Sequence, residues 1–413
     1  MADIKPFAAV RPREELAEKI AALPYDVYSR QGAKAEIEKA PLSFLRIDRP
    51  ETNFPDDVDT YDDRVYAKAK EILDGMIEKG EFITDDKPCY YIYELTMDKR
   101  TQSGIVAVSS CFDYEKGIIK KHENTTESKL QDRIRHVDVC SAQTGPIFLG
   151  YRENKVISSV KKKVMAGEPV YDFTSPDGIR HRVFIVSDDM DIAASRGAFD
   201  GINEIYICDG HHRCESAARV CRMRREAHHE PSGKEEFNYF LSVLFPSEEL
   251  MILAYNRVVK DLNGLSESRF MDRLRKKFDL IDNGSEPFKP KKKHEFGLYI
   301  SGRWYCLKAG DELYSDDPVD SLDVSVLQNE LLSPILNIED PRTDKRIAFV
   351  GGIHGMEGLM ELVDSGEYIC AFSLFPTDIE ELFHVADSGK LMPPKSTWFE
   401  PKLRSGLFLH ALD

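Results

Sequence analysis

A short segment in the middle of the chain combines an acid, a glycine, two histidines and an arginine. Directly after the apolar run 205–208, the order is Asp209, Gly210, His211, His212, Arg213. We expect a strand that ends at Asp209 and a helix that begins after Gly210, since glycine permits a tight turn. A helix N-terminus attracts phosphate, and an arginine adds a bidentate donor. The segment therefore predicts an anion site, with Asp209 placed to bind a ligand or a metal.

Two other interpretations of this segment stay open. Asp209 also fits an ordinary helix cap, with both histidines on the surface of the protein. A zinc site is the second alternative, because Cys208, His211, His212 and Cys214 lie close together in the sequence. The paired spacings that a structural zinc site usually shows are missing, and neighbouring histidines point in different directions.

Two segments farther upstream carry residues of the same kinds of chemistry. Glu123, beside His122, has the chemistry of a general base, and Arg133 that of a phosphate ligand. An exposed charged helix explains these residues equally well. Ser141 and Thr144 precede a Gly-Pro pair, which fits either a turn or the floor of a pocket.

The elements that must position these residues follow from periodicity. Residues 63–79 have apolar side chains at helical spacing, and residues 212–225 continue the central motif as a helix. Strands are predicted at 89–97, 105–112, 182–186, 202–208, 239–245 and 251–259. After a lysine-rich run at 289–294, strand and helix alternate through 348–350, 355–364, 368–374 and 377–387, a βαβα order.

Composition limits the classes of function. The chain has 413 residues, 42% hydrophobic and 31% charged, with a formal net charge of −16. This balance is that of a globular protein, and an acidic chain is a poor binder of nucleic-acid backbones. No apolar run approaches the roughly 20 residues of a membrane span, and the N-terminus lacks an apolar signal region. Eight scattered cysteines fit neither a disulfide framework nor a paired zinc site, so we expect reduced thiols and a cytoplasmic protein.

The motifs together resemble the ParB/sulfiredoxin-like superfamily, and within it the free-serine kinases. Those kinases carry the same Asp-Gly-His-His-Arg turn, a His-Glu pair, a Ser/Thr-Gly segment and a C-terminal Pro-Lys-Thr-Thr, in the same order. Here the last motif is Pro394, Lys395, Ser396, Thr397. Over its whole length the chain is similar to domain-of-unknown-function family 1015, which the segments 24–27 and 256–259 also fit.

The resemblance implies an α/β (α+β) fold whose ParB/sulfiredoxin-like core contains a mixed sheet. We expect an N-terminal α/β extension at 1–100, a nucleotide-binding core at 101–288 and a C-terminal βαβα lobe at 289–413 that ends in the substrate-site tail. The resemblance assigns no role to residues 1–100 or 149–201. It implies a catalytic base at Glu123 and a second acid that holds Mg²⁺ at Asp209. Phosphate binding falls to Gly210, His211, His212 and Arg213, with Arg133 added, and substrate binding to Ser141, Thr144, Lys395, Ser396 and Thr397.

These roles predict a Mg²⁺-dependent small-molecule kinase that uses ATP or ADP and phosphorylates free serine or a similar hydroxyl metabolite. The alternative is a nucleotide-binding regulator without phosphoryl transfer, and a third option is a structural protein whose turn is only a helix cap. The kinase hypothesis requires that Lys395–Thr397 reach Asp209. Where the kinases have Arg-His after the second hydroxyl, this chain has Trp398 and Phe399. Lys395 or Lys402 is then the candidate for a substrate carboxylate. The expected partners are a nucleotide and a small molecule, without membrane or nucleic acid, and a homo-oligomer fits the sequence as well.

Overall fold

The computed structural model describes all 413 residues, which divide into two compact units. Unit 1 contains Met1–Lys121, Thr125–Leu250 and Pro401–Asp413, and unit 2 contains His122–Asn124 and Met251–Glu400. These bounds differ from the three predicted segments. The strands Ile4–Lys5 and Tyr90–Met97 pair with the strand Arg100–Ser110, so these N-terminal residues belong to the sheet of the predicted core.

The first twelve strands of the chain lie in unit 1. They are β1 (Ile4–Lys5), β2 (Val10–Pro12), β3 (Phe82–Thr84), β4 (Tyr90–Met97), β5 (Arg100–Ser110), β6 (Ile119–Lys120), β7 (Ala142–Gln143), β8 (Ile147–Tyr151), β9 (Tyr171–Thr174), β10 (Arg180–Val186), β11 (Ile205–Asp209) and β12 (Tyr239–Pro246). Its helices are α1 (Ala17–Ile20), α2 (Arg30–Lys39), α3 (Leu45–Asp48), α4 (Asp63–Glu78), α5 (Cys111–Glu115), α6 (Glu127–Cys140), α7 (Lys155–Val164), α8 (Asp189–Asp200) and α9 (His211–Ala227).

A nine-stranded mixed sheet organises unit 1. Its order is β6-β11-β8-β12-β5-β4-β10-β9, and β1 pairs with β5. The pairs β6–β11 and β8–β12 are parallel, and the other pairs are antiparallel. The α/β fold with a mixed sheet is thus confirmed. Residues 149–201 supply β9 and β10, which extend the sheet beyond β4.

The core of unit 1 lies along this sheet because its central strands are apolar on both faces. In β5, β8 and β11, the side chains of Ile105, Leu149 and Ile207 are fully buried in one cluster. Helix α9 packs on the same cluster through Cys214, Ala217 and Cys221. Burial of both faces is typical of a sheet covered by helices. Because β11 and α9 pack in one cluster, the end of β11 at Asp209 lies next to the start of α9 at His211.

Unit 2 is built on a second, six-stranded antiparallel sheet with the order β15-β17-β16-β19-β14-β18. The strands of this unit are β13 (Ile252–Leu253), β14 (Tyr255–Val259), β15 (Phe278–Gly284), β16 (Glu295–Ile300), β17 (Arg303–Ala309), β18 (Ile347–Gly351), β19 (Cys370–Leu374) and β20 (Trp398–Phe399). Its helices are α10 (Glu267–Leu274), α11 (Asp323–Leu327), α12 (Gly355–Asp364) and α13 (Ile379–Asp387).

The predicted βαβα order is present as β18, α12, β19 and α13. The two strands are not neighbours, because β14 lies between them and is antiparallel to both. The last strand, β21 (His410–Ala411), returns to unit 1 and pairs with β7. None of the helices in either unit has the length and apolar character that crossing a bilayer needs. All eight cysteines are buried and none forms a disulfide.

Candidate functional site

The turn between β11 and α9 has the predicted form. Gly210 is the N-cap of the 17-residue helix α9, with φ +94 and ψ 32. A Cβ atom there would lie 3.0 Å from Nε of Arg213. Glycine is required because the backbone is left-handed and because the guanidinium folds back over the turn. The alternative of an Asp209 cap on the helix is wrong, since the capping position belongs to Gly210.

Asp209 is an anion held between two cations. Its Oδ1 accepts a hydrogen bond from the Gly210 N–H at 3.0 Å. Its Oδ2 lies 3.4 Å from Nζ of Lys402 and 3.6 Å from Nη2 of Arg213. Burial alone would raise the pKa of Asp209, but the charges of Lys402, Arg213 and His211 outweigh it and hold that pKa well below its ordinary value. The side chain keeps 32% exposure, so an ionised carboxylate remains within reach of a ligand.

A cleft in unit 1 brings three of the predicted residues together. Its cavity volume is about 30 Å³, and it is partly open to solvent. Arg133, Thr144 and Arg213 come from three separate motifs and all line it. The other lining residues are Pro24, Tyr25, Asp48, His136, Val137, Gln143, Gly145, Ile147, Ser216 and Ser405. Clefts with a few convergent polar groups are the usual binding sites for small molecules.

The deepest charges of this cleft are an acid and an arginine. Asp48 is 3% exposed, and its Oδ1 accepts a hydrogen bond from Oγ1 of Thr144 at 2.8 Å. The Arg133 side chain is 7% exposed, lies 2.7 Å from Asp132, and places its guanidinium carbon 4.1 Å from the ring centre of Tyr25. An exposed charged helix is therefore the wrong interpretation of Arg133. Burial, together with the charge of Arg133, lowers the pKa of His136, which lines the same cleft.

Sequence reasoning missed Asp48 and His136. The hydrogen bond between Asp48 and Thr144 joins residues 96 positions apart, and no local pattern marks Asp48. His136 lies in α6, and its Nε2 is paired with the carbonyl of Ile47 at 2.8 Å. Another lining residue, Tyr25, lies in segment 24–27, which fits the resembled family.

Two predicted residues of unit 1 have structural partners. Ser141 ends α6 in a left-handed conformation, and its hydroxyl accepts a hydrogen bond from Nη1 of Arg224 at 2.8 Å. It is not among the residues that line the cleft. His212 accepts the backbone N–H of Thr126 on Nε2 at 3.0 Å. Its role in phosphate binding stays a prediction, as does the substrate role of Ser141.

Unit 2 brings the predicted base onto the predicted tail. The segment His122–Asn124 belongs to this unit, and the carbonyl of His122 accepts the N–H of Met392 at 2.8 Å. Nε2 of His122 lies 3.5 Å from Oγ1 of Thr397. Glu123 is the next residue and is half-buried. Two motifs more than 250 residues apart in the sequence therefore lie together in the fold.

The tail itself is fixed by hydrogen bonds. Oγ of Ser396 donates to the carbonyl of Pro393 at 2.6 Å, and the carbonyl of Ser396 accepts from Oγ1 of Thr377 at 2.9 Å. Lys395 has φ +60, and its carbonyl accepts from Nη2 of Arg257 at 3.1 Å. The requirement that Lys395–Thr397 reach Asp209 stays a prediction.

The residues at the turn fit a nucleotide phosphate better than they fit a metal by themselves. Arg213, Lys402 and the start of α9 supply positive charge for phosphate oxygens. For Mg²⁺, Asp209 supplies one ionised carboxylate, which matches an ion held mainly through phosphate oxygens and water. The four residues of the zinc alternative, Cys208, His211, His212 and Cys214, do not together form a cluster of metal-binding side chains.

Comparison by family model matches residues 4–325 to the family described as "Protein of unknown function (DUF1015)". The chain belongs to this family. No curated protein matches it by sequence.

Several solved structures show similarity to this chain. A conserved hypothetical protein from Pyrococcus furiosus is 16% identical, with a TM-score of 0.36 over 76% of this chain and 97% of that chain. A free serine kinase in complex with AMP is 15% identical, with a TM-score of 0.36 over 75% of this chain and 93% of that chain. SbnI with a C-terminal truncation, from Staphylococcus aureus, is 9% identical, with a TM-score of 0.38 over 71% and 82%.

Proposed function

We propose that this protein is a phosphotransferase that moves the terminal phosphoryl group of ATP or ADP to the hydroxyl of a small metabolite. The observation that carries the proposal is the β11–α9 turn. There an ionised Asp209, flanked by Arg213 and Lys402, meets the N-terminus of a long helix next to a polar cleft. Turns of this form are where open α/β folds hold phosphate groups.

In this proposal the donor nucleotide binds at the turn, beside the cleft. Arg213 and Lys402 bind the phosphates and stabilise the charge that spreads over the transferred group. Arg133 adds a second guanidinium to the cleft. Mg²⁺, when bound, neutralises the phosphate oxygens, and Asp209 is the residue that would hold it.

On the acceptor side, Glu123 takes the proton of the substrate hydroxyl. The hydroxyl oxygen then forms a bond to the terminal phosphorus, and the bond from that phosphorus to the bridging oxygen breaks, which releases ADP from ATP or AMP from ADP. Thr144 and the tail Lys395–Thr397 bind the acceptor. Free serine or a serine-like metabolite is the acceptor class that the motif set favours.

The first test is thermal unfolding of the purified protein with ATP, ADP, AMP and CTP, each with and without Mg²⁺. A ligand that binds only the folded state stabilises by about 2.7 kcal/mol at a hundredfold excess over its Kd. A Mg²⁺-dependent stabilisation by an adenine nucleotide is the expected result. Stabilisation by CTP alone would favour the nucleotide-binding regulator, and no stabilisation by any nucleotide would contradict both functions.

The second test separates transfer from binding. Removal of a general base slows a reaction by about 10²- to 10⁴-fold, so Glu123→Gln should lose that much phosphoryl transfer to L-serine while nucleotide stabilisation persists. Glu127→Gln is the matched control, because Glu127 is an exposed acid four residues away that pairs with Arg219. Full transfer by Glu123→Gln would contradict the proposed role of Glu123.

A further inference from the structure

An arginine is buried in the sheet of unit 2 without an acid beside it. Arg257 lies in β14, between β18 and β19, and is 3% exposed. Its guanidinium donates to the carbonyls of Tyr255 and Lys395, and its central carbon lies 5.0 Å from the ring centre of Phe349. No carboxylate contributes to its electrostatic surroundings.

Such an arrangement is unusual for a cation. Burial lowers the pKa of Arg257 to about 10, so the group is still charged at neutral pH but poorly compensated. The buried Arg404 of unit 1, by contrast, pairs with Asp177. An apolar side chain of similar volume usually serves stability at least as well as a buried charge. The position of Arg257 therefore calls for a role beyond packing.

The carbonyl of Lys395 is the partner that explains this role. Lys395 adopts φ +60, a left-handed conformation that residues with a Cβ atom disfavour. Conformations of this kind persist only where the surroundings hold them. The hydrogen bond from Nη2 of Arg257, at 3.1 Å, joins the middle of a rigid sheet to this residue.

The residues that follow depend on that turn. Ser396 is 5% exposed, and its carbonyl is fixed by Thr377. Thr397 comes next and places its hydroxyl 3.5 Å from His122, the neighbour of Glu123. Rotation at Lys395 would move the Thr397 hydroxyl away from the segment that contains the proposed base.

We infer that Arg257 is a positioning residue, which fixes the left-handed turn at Lys395 and thereby aligns Thr397 with the His122–Glu123 segment. The inference rests on the proposed function, because it assigns Arg257 to the acceptor side of that reaction. It acts through the tail and touches no reacting atom. It predicts that loss of Arg257 lowers the rate of transfer and leaves nucleotide binding unchanged.

The test compares Arg257→Met and Arg257→Lys with Arg346→Met. Arg346 is a matched control in the same unit, since it also donates to two backbone carbonyls, those of Leu336 and Asn337. Two measurements are made on the full chain: kcat and nucleotide KM for transfer to L-serine, and hydrogen–deuterium exchange of the peptide 391–399.

We expect Arg257→Met to lower kcat at least tenfold with nucleotide KM within twofold of the unaltered protein. Exchange over 391–399 should rise in Arg257→Met and less in Arg257→Lys, which keeps a donor but loses the planar fork. Arg346→Met should change neither. If Arg257→Met does not fold, Arg257→Lys carries the test.

Two results would overturn the inference: unchanged exchange over 391–399 in both Arg257 variants, or an equal loss of kcat in Arg346→Met. If the unaltered protein transfers no phosphoryl group, the proposed function fails. The exchange measurement then still decides separately whether Arg257 holds the tail.

Discussion

The turn at Asp209–Arg213 and the tail at 392–399 are both held by polar contacts, but in different ways. The turn consists of consecutive residues, and its shape follows from one glycine, one strand end and one helix start. The tail has no regular structure until β20, and its partners are remote. Arg257 is 138 positions from Lys395, and His122 is 275 positions from Thr397. A locally determined turn is visible in a sequence, whereas the distant partners that hold the tail are not.

The two regions also differ in their charges. At the turn, an acid sits between two cations, so removal of any one member changes the field that a phosphate meets. At the tail, Arg257 donates hydrogen bonds to carbonyl groups and has no acid beside it, so its effect is on backbone geometry. We therefore expect variants at the turn to change donor chemistry and variants at the tail to change acceptor alignment.

Among variants of the turn, the largest effect should come from Asp209→Asn. The loss of a preorganised charge at a phosphoryl-transfer site lowers kcat by about 10²- to 10³-fold. Without Mg²⁺, phosphate affinity should not fall, because Arg213 and Lys402 keep their charges and the competing carboxylate is gone. Steady-state kinetics and calorimetric nucleotide binding measure the two quantities. Asp172→Asn is the control, since it also removes an acid that pairs with an arginine of unit 1, in this case Arg180. A kcat within threefold of the unaltered protein would show that the turn does not serve transfer.

The next effect concerns the backbone of the turn. Gly210→Ala should lower the free energy of unfolding by about 1–2 kcal/mol, because a left-handed residue with a Cβ is strained and the new methyl meets Arg213. Gly197→Ala, inside α8 and with open space around it, should instead raise stability by up to about 1 kcal/mol. Urea unfolding measures both. Equal changes in the two variants would mean that Gly210 is not a constrained position.

The difference between turn and tail also explains which parts of the site could be predicted from the sequence. The apolar run, Gly210 and the helix after it are local signals, and β11 and α9 were found within a few residues of their bounds. Asp48 was missed because only folding brings it to Thr144, and Arg257 because its partner Lys395 lies in another segment. The order of β18, α12, β19 and α13 was predicted, but the insertion of β14 between the strands was not. Pairing between distant strands leaves no periodic trace in either strand.

The smallest predicted effect is a pH dependence of the free energy of unfolding that arises in unit 1. His181 in unit 1 is fully buried between the Tyr93 and Ser175 hydroxyls. Burial, with the nearby charge of Arg404 and against that of Asp177, lowers its pKa to about 3. In the unfolded chain this histidine binds a proton near pH 6.5. The stability it contributes is thus present above about pH 6.5 and is lost as the pH falls toward 3.

From pH 7 to pH 5.5, this single group should remove about 1 kcal/mol from the free energy of unfolding. Both tryptophans, Trp304 and Trp398, lie in unit 2, so tryptophan emission reports the unfolding of that unit. Near-ultraviolet dichroism of the tyrosines reports the unfolding of unit 1 as well. We expect the acid sensitivity in urea unfolding to follow the tyrosine signal. His181→Gln should reduce the slope with pH, and His136, whose pKa is also lowered, should supply what remains. If the free energy of unfolding of His181→Gln keeps the same slope with pH, His181 is not the source of the acid sensitivity of unit 1.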